Sequence, residues 1–367
     1  MFGIRAEKMT GASATTKIHD RRRESFRWLR TNGISSAVSD EFERLLQTPG
    51  TLCRPSLIVR CQRTGGEFTC RVVTNKPISE PRLKQCFLPF LRRLEYRTRG
   101  RCDFFVLVSD NVYVAPDSRA KFLRFLEQVA FLRCDQRDDD ESSVRAILIP
   151  DFSLQDGAYS EELVEVRKAA QAVDFDARLE VIKWRGRLSG SDYPTIENCE
   201  GFPRYRLLVM SLQHPDVIDA RLTDDANLAG SESAVTLKQR LEIMFGSRAD
   251  PLPPADFVRY KYLVSLDGAV SAWKRVPLIL ASGSVLMLQH RWHQFFYPGL
   301  QPWVHYVPLK PDISDIRERY GLLRAQPAWA RAIAENGQRF AQEVLSPEAL
   351  ENYFVEILDV CSMMHRG

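Results

Sequence analysis

The chain has 367 residues, of which 44% are hydrophobic and 27% are charged, and this composition excludes a disordered chain. Lys and Arg exceed Asp and Glu by only four, which is too small an excess for a dedicated nucleic-acid-binding protein. Because a single hydrophobic core stops growing at roughly 250–300 residues, the length predicts two domains with a cleft between them.

The beginning of the chain has no apolar segment of the kind found in a secretory signal, and no run approaches the roughly 18–20 apolar residues that span a bilayer. We therefore expect a cytoplasmic protein. Residues 20–31, DRRRESFRWLRT, predict a short and strongly basic helix that starts on Asp20. This helix could bind an anionic membrane surface or pack on the C-terminal segment.

The first half of the chain alternates apolar runs with helical stretches. Strands are predicted in SLIVRC, TCRVVT, FFVLVS and AILIP, and helices in PRLKQCFLPFLRRLEY and SRAKFLRFLEQVAFLR. Such alternation indicates an open α/β sheet. The eight cysteines occur singly, without zinc-like spacing, and are expected to be free thiols, with a Cys61–Cys70 disulfide as the alternative.

A second alternating set begins at Arg178. Strands are predicted in RLEVIKW, VIDARL, YLVSL, SVLMLQ and WVHYVPL, with a helix from Pro203. A last helix starts at Ser346-Pro347 and repeats apolar residues at helical spacing, namely Leu350, Phe354, Ile357 and Cys361. We expect an N-terminal domain over 1–172, a C-terminal domain over 173–345 and a final crossing helix over 346–367.

Two basic motifs stand where an α/β protein binds ligands. In KWRGRLSG, Arg185 and Arg187 flank Gly186 just after a predicted strand, and guanidinium groups at the carboxyl end of a strand suit phosphate oxygens. Arg275, next to Lys274, starts the apolar helix VPLILA, where a cation opposes the helix dipole unless an anion is bound. Alternatively, KWRGRLSG is a solvated basic turn, and Arg275 reaches solvent or a neighbouring carboxylate.

The segment HRWHQFFYPGLQPWVHYVPLK, residues 290–310, is dense in aromatic side chains. By composition alone it is more typical of core than of a ring-binding site. Together with the basic motifs, however, it resembles glycosyltransferase family 90, whose pattern is a KY-x-L strand, a basic residue before a helix, a GS-x-V strand and FFYP-x-L-x-PW-x-HY-x-P. The matching residues are Lys261-Tyr262-Leu263, Gly268, Arg275, Gly283-Ser284-Val285, the FFYP run 295–298, Leu300, Pro302-Trp303, His305-Tyr306 and Pro308.

This resemblance implies a GT-B architecture, in which two Rossmann-like domains face each other across a cleft and the C-terminal one holds the donor. It also implies an inverting reaction that needs no bound metal or other cofactor. The residues it assigns to donor binding are Arg185, Gly186, Arg187, Arg275, Gly283, Ser284 and Phe295. Lys274 is an alternative to Arg275, because this chain has one more residue between Trp273 and Gly283 than the family pattern has.

An inverting transferase needs one carboxylate that takes the proton of the acceptor hydroxyl. In the family this Asp follows a strand of the N-terminal domain, and FFVLVSDNVYV puts Asp110 in that place. Asp151, after AILIP, is the alternative base. Asp138-Asp139-Asp140 has the form of a metal-binding motif, but a polar loop without a preceding strand indicates a solvated acidic turn.

The resemblance thus implies an enzyme that moves glucose or xylose from a UDP donor to a hydroxyl of a glycan or lipid-linked oligosaccharide. The absence of a secretory signal and of a C-terminal retention sequence favours lipopolysaccharide or capsule assembly at the cytoplasmic face of the inner membrane. The alternatives are a protein O-glucosyltransferase or xylosyltransferase and a non-catalytic sugar-nucleotide-binding protein. No nucleic-acid partner is expected.

Overall fold

A computed structural model describes residues 13–27, 29, 33–137, 145–190, 194–225 and 232–366. Its N-terminal strands are β1 (Ile58–Arg63), β2 (Thr69–Thr74), β3 (Cys102–Leu107), β4 (Ala130–Arg133), β5 (Asp135–Arg137) and β6 (Ile147–Leu148). Five of them form a sheet in the order β2-β1-β3-β4-β6, in which β1 is antiparallel to both neighbours and β3, β4 and β6 are parallel. All six residues of β3 are buried, which explains the apolar run that follows Asp103, and Asp103 itself is paired with Arg60.

The C-terminal strands are β7 (Leu179–Gly186), β8 (Ile218–Leu222), β9 (Tyr260–Leu266), β10 (Val285–Gln289), β11 (Trp292–Gln294) and β12 (Val307–Pro308). Five of them form a fully parallel sheet in the order β12-β10-β9-β7-β8. Because the strands are parallel, the carboxyl ends of β7, β9 and β10 lie at one edge of this sheet.

The helices are α1 (Ala14–Ser25), α2 (Ser36–Gln47), α3 (Leu88–Leu94), α4 (Pro116–Leu126), α5 (Phe152–Gln155), α6 (Gly157–Ala172), α7 (Pro203–Gln213), α8 (Glu232–Phe245), α9 (Arg275–Ala281), α10 (Ile316–Arg324), α11 (Pro327–Val344) and α12 (Pro347–Met364). The fold is therefore α/β, with two Rossmann-like sheets in the GT-B arrangement that the sequence predicts. In the described residues no helix is both long enough and apolar enough to cross a membrane.

Three predicted elements differ from the structure. The helix predicted over SRAKFLRFLEQVAFLR ends at Leu126, because its last residues form the buried strand β4, and a short apolar run does not distinguish a strand from a helix. The basic helix begins at Ala14, where Ser13 caps it, and its predicted residues 28, 30 and 31 lie outside the described residues. The strand predicted in WVHYVPL is reduced to β12, because Trp303 has a φ of +62°.

The final helix is confirmed, since Ser346 caps α12 and all four of the spaced apolar residues are buried. Helix α1 packs on it, because Arg22 pairs with Glu356 and lies over the ring of Tyr353 at 5.3 Å. The alternative expected for the basic helix, packing on the C-terminal segment, is thereby confirmed. All eight cysteines are free, and Cys61 lies opposite Cys70 in the β1–β2 pair.

The N-terminal and C-terminal parts are joined by a two-stranded antiparallel pair outside the main sheets. In it β5 pairs with β11, so that Gln136 lies opposite His293. Next to this pair the carboxylate of Asp135 accepts a hydrogen bond from the backbone N–H of Ser271 at 3.1 Å. One buried hydrophobic cluster also contains residues of both parts, including Leu132, Val166, Ile279, Leu300 and Phe354.

Candidate functional site

The carboxyl edge of the C-terminal sheet carries an arginine, Arg275, at the start of α9. Among the described residues, the guanidinium of Arg275 at the start of α9 has no acidic or hydrogen-bonding partner. It lies against the end of β7, because a Cβ atom added to Gly186 would be 3.3 Å from its Nη2 atom. Burial lowers the pKa of Arg275 to about 10. A desolvated cation without a counter-charge is costly, and a bound anion would stabilise it.

A second arginine, Arg204, lies at the same edge in the first turn of α7. Its guanidinium donates hydrogen bonds to the carbonyl oxygen of Leu266 at 2.8 Å, the carbonyl oxygen of Arg187 at 3.0 Å and the hydroxyl of Ser189 at 2.6 Å. Burial, and next the positive charge of Arg275, lower the pKa of Arg204 to about 9. Two half-buried cations that repel each other indicate a site for a multiply charged anion.

Arg204 was not predicted as a site residue, although the signal that singled out Arg275 is present there too. Both residues occupy the first turn of a helix that follows a strand and loop, and neither first turn contains an acidic residue. The two arginines lie close together because of how α7 and α9 pack on the sheet, and no local sequence pattern predicts that packing.

A buried carboxylate, Asp267, follows β9 directly at this edge. Its Oδ2 atom accepts hydrogen bonds from the backbone N–H groups of Arg291 at 2.6 Å and Trp292 at 2.9 Å, and its side chain shares the site with Arg204. Burial raises the pKa of Asp267 to about 7 despite these hydrogen bonds. Asp267 is not among the residues that the sequence predicts for the site, and its importance follows only from its burial.

The raised pKa of Asp267 predicts a specific pH dependence of stability. The folded state favours the protonated form, so wild-type stability falls as pH rises from about 4 to about 7. A shift of about 3 pKa units corresponds to about 4 kcal/mol. We expect Asp267→Asn to have the higher free energy of unfolding at pH 8, by up to about 4 kcal/mol, and to differ by under about 1 kcal/mol at pH 4.

Urea unfolding at the two pH values measures this difference. Asp216→Asn is the control, because Asp216 is exposed and should show no gain that depends on pH. An equal effect of Asp267→Asn at both pH values would contradict the titration of Asp267 over this range.

The motif KWRGRLSG, which overlaps the end of β7, contributes its backbone to the site more than its side chains. A Cβ atom on Gly186 would also lie 2.7 Å from Cζ2 of Trp184, so the close approach there requires glycine. Arg185 is held by the carboxylate of Asp219 at 2.7 Å, and Arg187 pairs with Asp224 at 2.8 Å. Both guanidinium groups therefore have acidic partners, whereas that of Arg275 has none among the described residues.

The structure places three other predicted donor residues away from this edge. Ser284 precedes β10 at the amino end of the sheet, where its hydroxyl bonds to the carbonyl oxygen of Tyr260 at 2.7 Å and to Arg178 at 2.9 Å. Gly283 beside it has a φ of +67°, which favours glycine at the end of α9. Phe295 is buried, with its ring 4.6 Å from that of Tyr353 of α12. We therefore leave Gly283, Ser284 and Phe295 out of the site.

Lys274, the alternative to Arg275, has an acidic partner. Its ammonium group lies 2.7 Å from the carboxylate of Glu162 in α6. This ion pair compensates its charge locally, whereas the neighbouring Arg275 has no such partner among the described residues. The geometry therefore favours Arg275 over Lys274 as an anion ligand.

Of the two candidate bases, Asp110 is accessible and Asp151 is not. Asp110 follows β3 at the carboxyl end of the N-terminal sheet, and its side chain is 40% exposed and 2.5 Å from Nη1 of Arg82. Asp151 is 0% exposed and caps α5 through the backbone N–H groups of Ser153 and Leu154. Burial raises the pKa of Asp151 to about 6, but no bulky acceptor can reach a fully buried carboxylate.

The acidic run Asp138-Asp139-Asp140 lies outside the described residues. Within the described residues, no group of three or more His, Cys, Asp or Glu side chains is arranged to hold a metal ion.

Comparison with known proteins relates this chain to glycosyltransferases. Human protein O-glucosyltransferase 3 is 32% identical over 155 residues, which are 42% of this chain and 28% of that protein. Human protein O-glucosyltransferase 1 is 30% identical over 152 residues, 41% of this chain and 36% of that protein. Zebrafish (Danio rerio) protein O-glucosyltransferase 2 is 27% identical over 220 residues, 58% of this chain and 39% of that protein. The matched region thus spans well under half of each relative.

Two solved structures show weaker likeness. The Anabaena protein HepE, determined with UDP, has a TM-score of 0.39 at 13% identity and covers 65% of this chain and 76% of its own. A glycosyltransferase from Rickettsia africae has a TM-score of 0.42 at 8% identity and covers 68% of each chain. The model of glycosyl transferase family 90 matches residues 139–366, which is more than half of the sequence. The chain therefore belongs to glycosyl transferase family 90.

Proposed function

We propose that this protein transfers a sugar, glucose or xylose, from a UDP donor to an acceptor hydroxyl with inversion at the anomeric carbon. The observation that carries the proposal is the guanidinium of Arg275, which is half-buried, lacks a partner among the described residues, and lies against Gly186 at the carboxyl edge of the sheet. In α/β proteins this edge is the usual place for a nucleotide.

The donor's diphosphate provides the missing counter-charge. It would lie against Arg275, with the Gly186 backbone leaving room for it and Arg204 holding the loop around Ser189 in place. Fixed positive charges stabilise the negative charge that develops on the leaving UDP. We propose that these arginines serve in place of a bound metal ion.

Asp110 is the proposed base, on the opposite domain. The acceptor oxygen attacks the anomeric carbon from the face opposite the diphosphate and transfers its proton to the carboxylate of Asp110. The bond between the anomeric carbon and the diphosphate oxygen breaks, and UDP leaves with the electron pair. The accessibility of Asp110 supports this role. If Asp110 were not the base, the alternative would be a non-catalytic sugar-nucleotide-binding protein.

For the acceptor we propose a glycan or lipid-linked oligosaccharide of lipopolysaccharide or capsule assembly. The relatives' name, protein O-glucosyltransferase, supports a protein acceptor as the second candidate. The family match begins at residue 139, after Asp110, so it supports the donor side more directly than the acceptor side. We also propose a cytoplasmic location with peripheral membrane contact through the basic helix, where the side chain of Arg23 is 68% exposed.

Thermal unfolding with UDP-glucose, UDP-xylose, UDP and ADP-glucose, each with and without EDTA, tests the donor. At a concentration of 100 times Kd, a ligand adds about 2.7 kcal/mol to stability, so we expect a shift of several degrees with at least one UDP-sugar. EDTA should change neither this shift nor the rate of UDP release. A lack of stabilisation by every UDP compound would overturn the proposal, and loss of turnover in EDTA would overturn its metal-independent form.

A further inference from the structure

We propose that Arg82 is the positioning residue of the base, and that its contact with the C-terminal half holds it in that role. The proposal rests on the proposed function, in which Asp110 takes the acceptor proton. Arg82 begins the helical segment Arg82–Phe87 that leads into α3, so it belongs to the N-terminal domain. Its side chain contacts Asp110 on one side and a residue of the C-terminal domain, Trp273, on the other.

The contact with Asp110 fixes one carboxylate oxygen. Nη1 of Arg82 donates a hydrogen bond to Oδ1 at 2.5 Å and reaches the carbonyl oxygen of Val108 at 3.5 Å. The other carboxylate oxygen is not engaged by Arg82 and stays available for an acceptor hydroxyl. The two side chains are 35% and 40% exposed, so an acceptor can approach them.

The contact with Trp273 joins this pair to the donor domain. The guanidinium carbon of Arg82 lies 4.9 Å from the centre of the indole ring. Trp273 has a φ of +50°, a region that side chains rarely adopt, and its carbonyl oxygen accepts a hydrogen bond from Gln294 at 3.4 Å. Strain of this kind persists only where the surroundings hold it.

Trp273 is also close in sequence to the proposed phosphate ligand. Lys274, the next residue, is anchored to Glu162 at 2.7 Å, and Arg275 follows directly. A displacement of this segment therefore moves the indole ring and the Arg275 guanidinium together. The chain of contacts runs from Asp110 through Arg82 to Trp273, two residues before the donor's phosphate site.

Arginine is suited to this double contact because its planar group can bond in its plane and stack on a ring through its face. Without the indole ring the stack would be lost and the guanidinium would regain rotational freedom, so the carboxylate would lose its fixed orientation. An exposed ion pair alone stabilises a protein little, which argues for orientation rather than stability as the purpose of Arg82.

The test compares Arg82→Gln, Arg82→Lys, Trp273→Leu and the double variant Arg82→Gln/Trp273→Leu. We expect Arg82→Gln to lower kcat by about 10- to 100-fold, the range for a misplaced catalytic group, with the Kd for UDP and the thermal midpoint unchanged. Arg82→Lys, which keeps the charge but not the planar stack, should be as impaired as Trp273→Leu. The double variant should be no slower than Arg82→Gln. Arg119→Gln, an exposed arginine of α4, is the control.

Three results would overturn the inference: multiplicative losses in the double variant, full recovery in Arg82→Lys, or a wild-type kcat in Arg82→Gln. A weaker Kd for UDP in Arg82→Gln would also overturn it, by placing the effect at the donor. Asp110→Asn, assayed in parallel, separates this failure from that of the proposed function. If Asp110→Asn is inactive and Arg82→Gln keeps its activity, only the role proposed for Arg82 is refuted. If Asp110→Asn is active, Asp110 is not the base.

Discussion

We expect Asp110→Asn to slow sugar transfer by about 10²–10⁴-fold, the usual contribution of a general base, while UDP binds as tightly as to wild type. The amide is nearly the same size as the carboxylate and still accepts the hydrogen bond from Arg82, so the local structure should persist. It cannot take a proton from the acceptor. Transfer is measured as UDP release in the presence of the acceptor, and binding is measured by calorimetry.

Asp151→Asn is the matched control for this prediction. Asn caps helices about as well as Asp, so the cap of α5 should be retained, and transfer should remain near the wild-type rate. The opposite pattern, with Asp151→Asn inactive and Asp110→Asn active, would move the base to the buried carboxylate. Activity in both variants would indicate that neither aspartate is the base.

Removal of the Arg275 side chain should have the second large effect. A hydrogen bond to a charged group contributes about 1.5–3 kcal/mol, so Arg275→Ala should weaken UDP binding by roughly 10- to 150-fold. The loss should be smaller at high salt, because part of the attraction is screened. The folded state should not suffer, since among the described residues the guanidinium has no partner to lose.

Lys274→Ala serves as the control, because its ammonium group is already paired with Glu162. We expect a smaller change in Kd, measured by calorimetry on both variants under the same conditions. Equal Kd values for wild type and both variants would refute a phosphate role for this segment. A larger loss in Lys274→Ala would transfer that role to the lysine.

Much of the fold follows from local patterns. Strands β3, β9 and β10 are buried along their whole length and are mostly apolar, and such runs are visible without any structure. Strand β4 was mistaken for the end of a helix, because no Gly or Pro marks the turn at residues 127–129 between α4 and AFLR. Only its pairing with β3 distinguishes it.

The site was less predictable than the fold. Arg275 could be singled out because a cation at a helix start is locally unfavourable, and that argument needs no tertiary information. Arg204 and Asp267 matter because the fold buries them beside each other, and burial is not a local property of the sequence. Gly283, Ser284 and Phe295 carry the family pattern, but in this chain their contacts are those of a turn and a core.

The β5–β11 pair has a consequence for the stability of the whole chain. It exchanges backbone hydrogen bonds between the two halves, and the buried cluster that contains Leu132 and Ile279 also draws on both. A half separated near residue 173 would expose an unpaired strand and part of that cluster to water. We therefore expect the two halves to unfold together, and the removal of either half to destabilise the other.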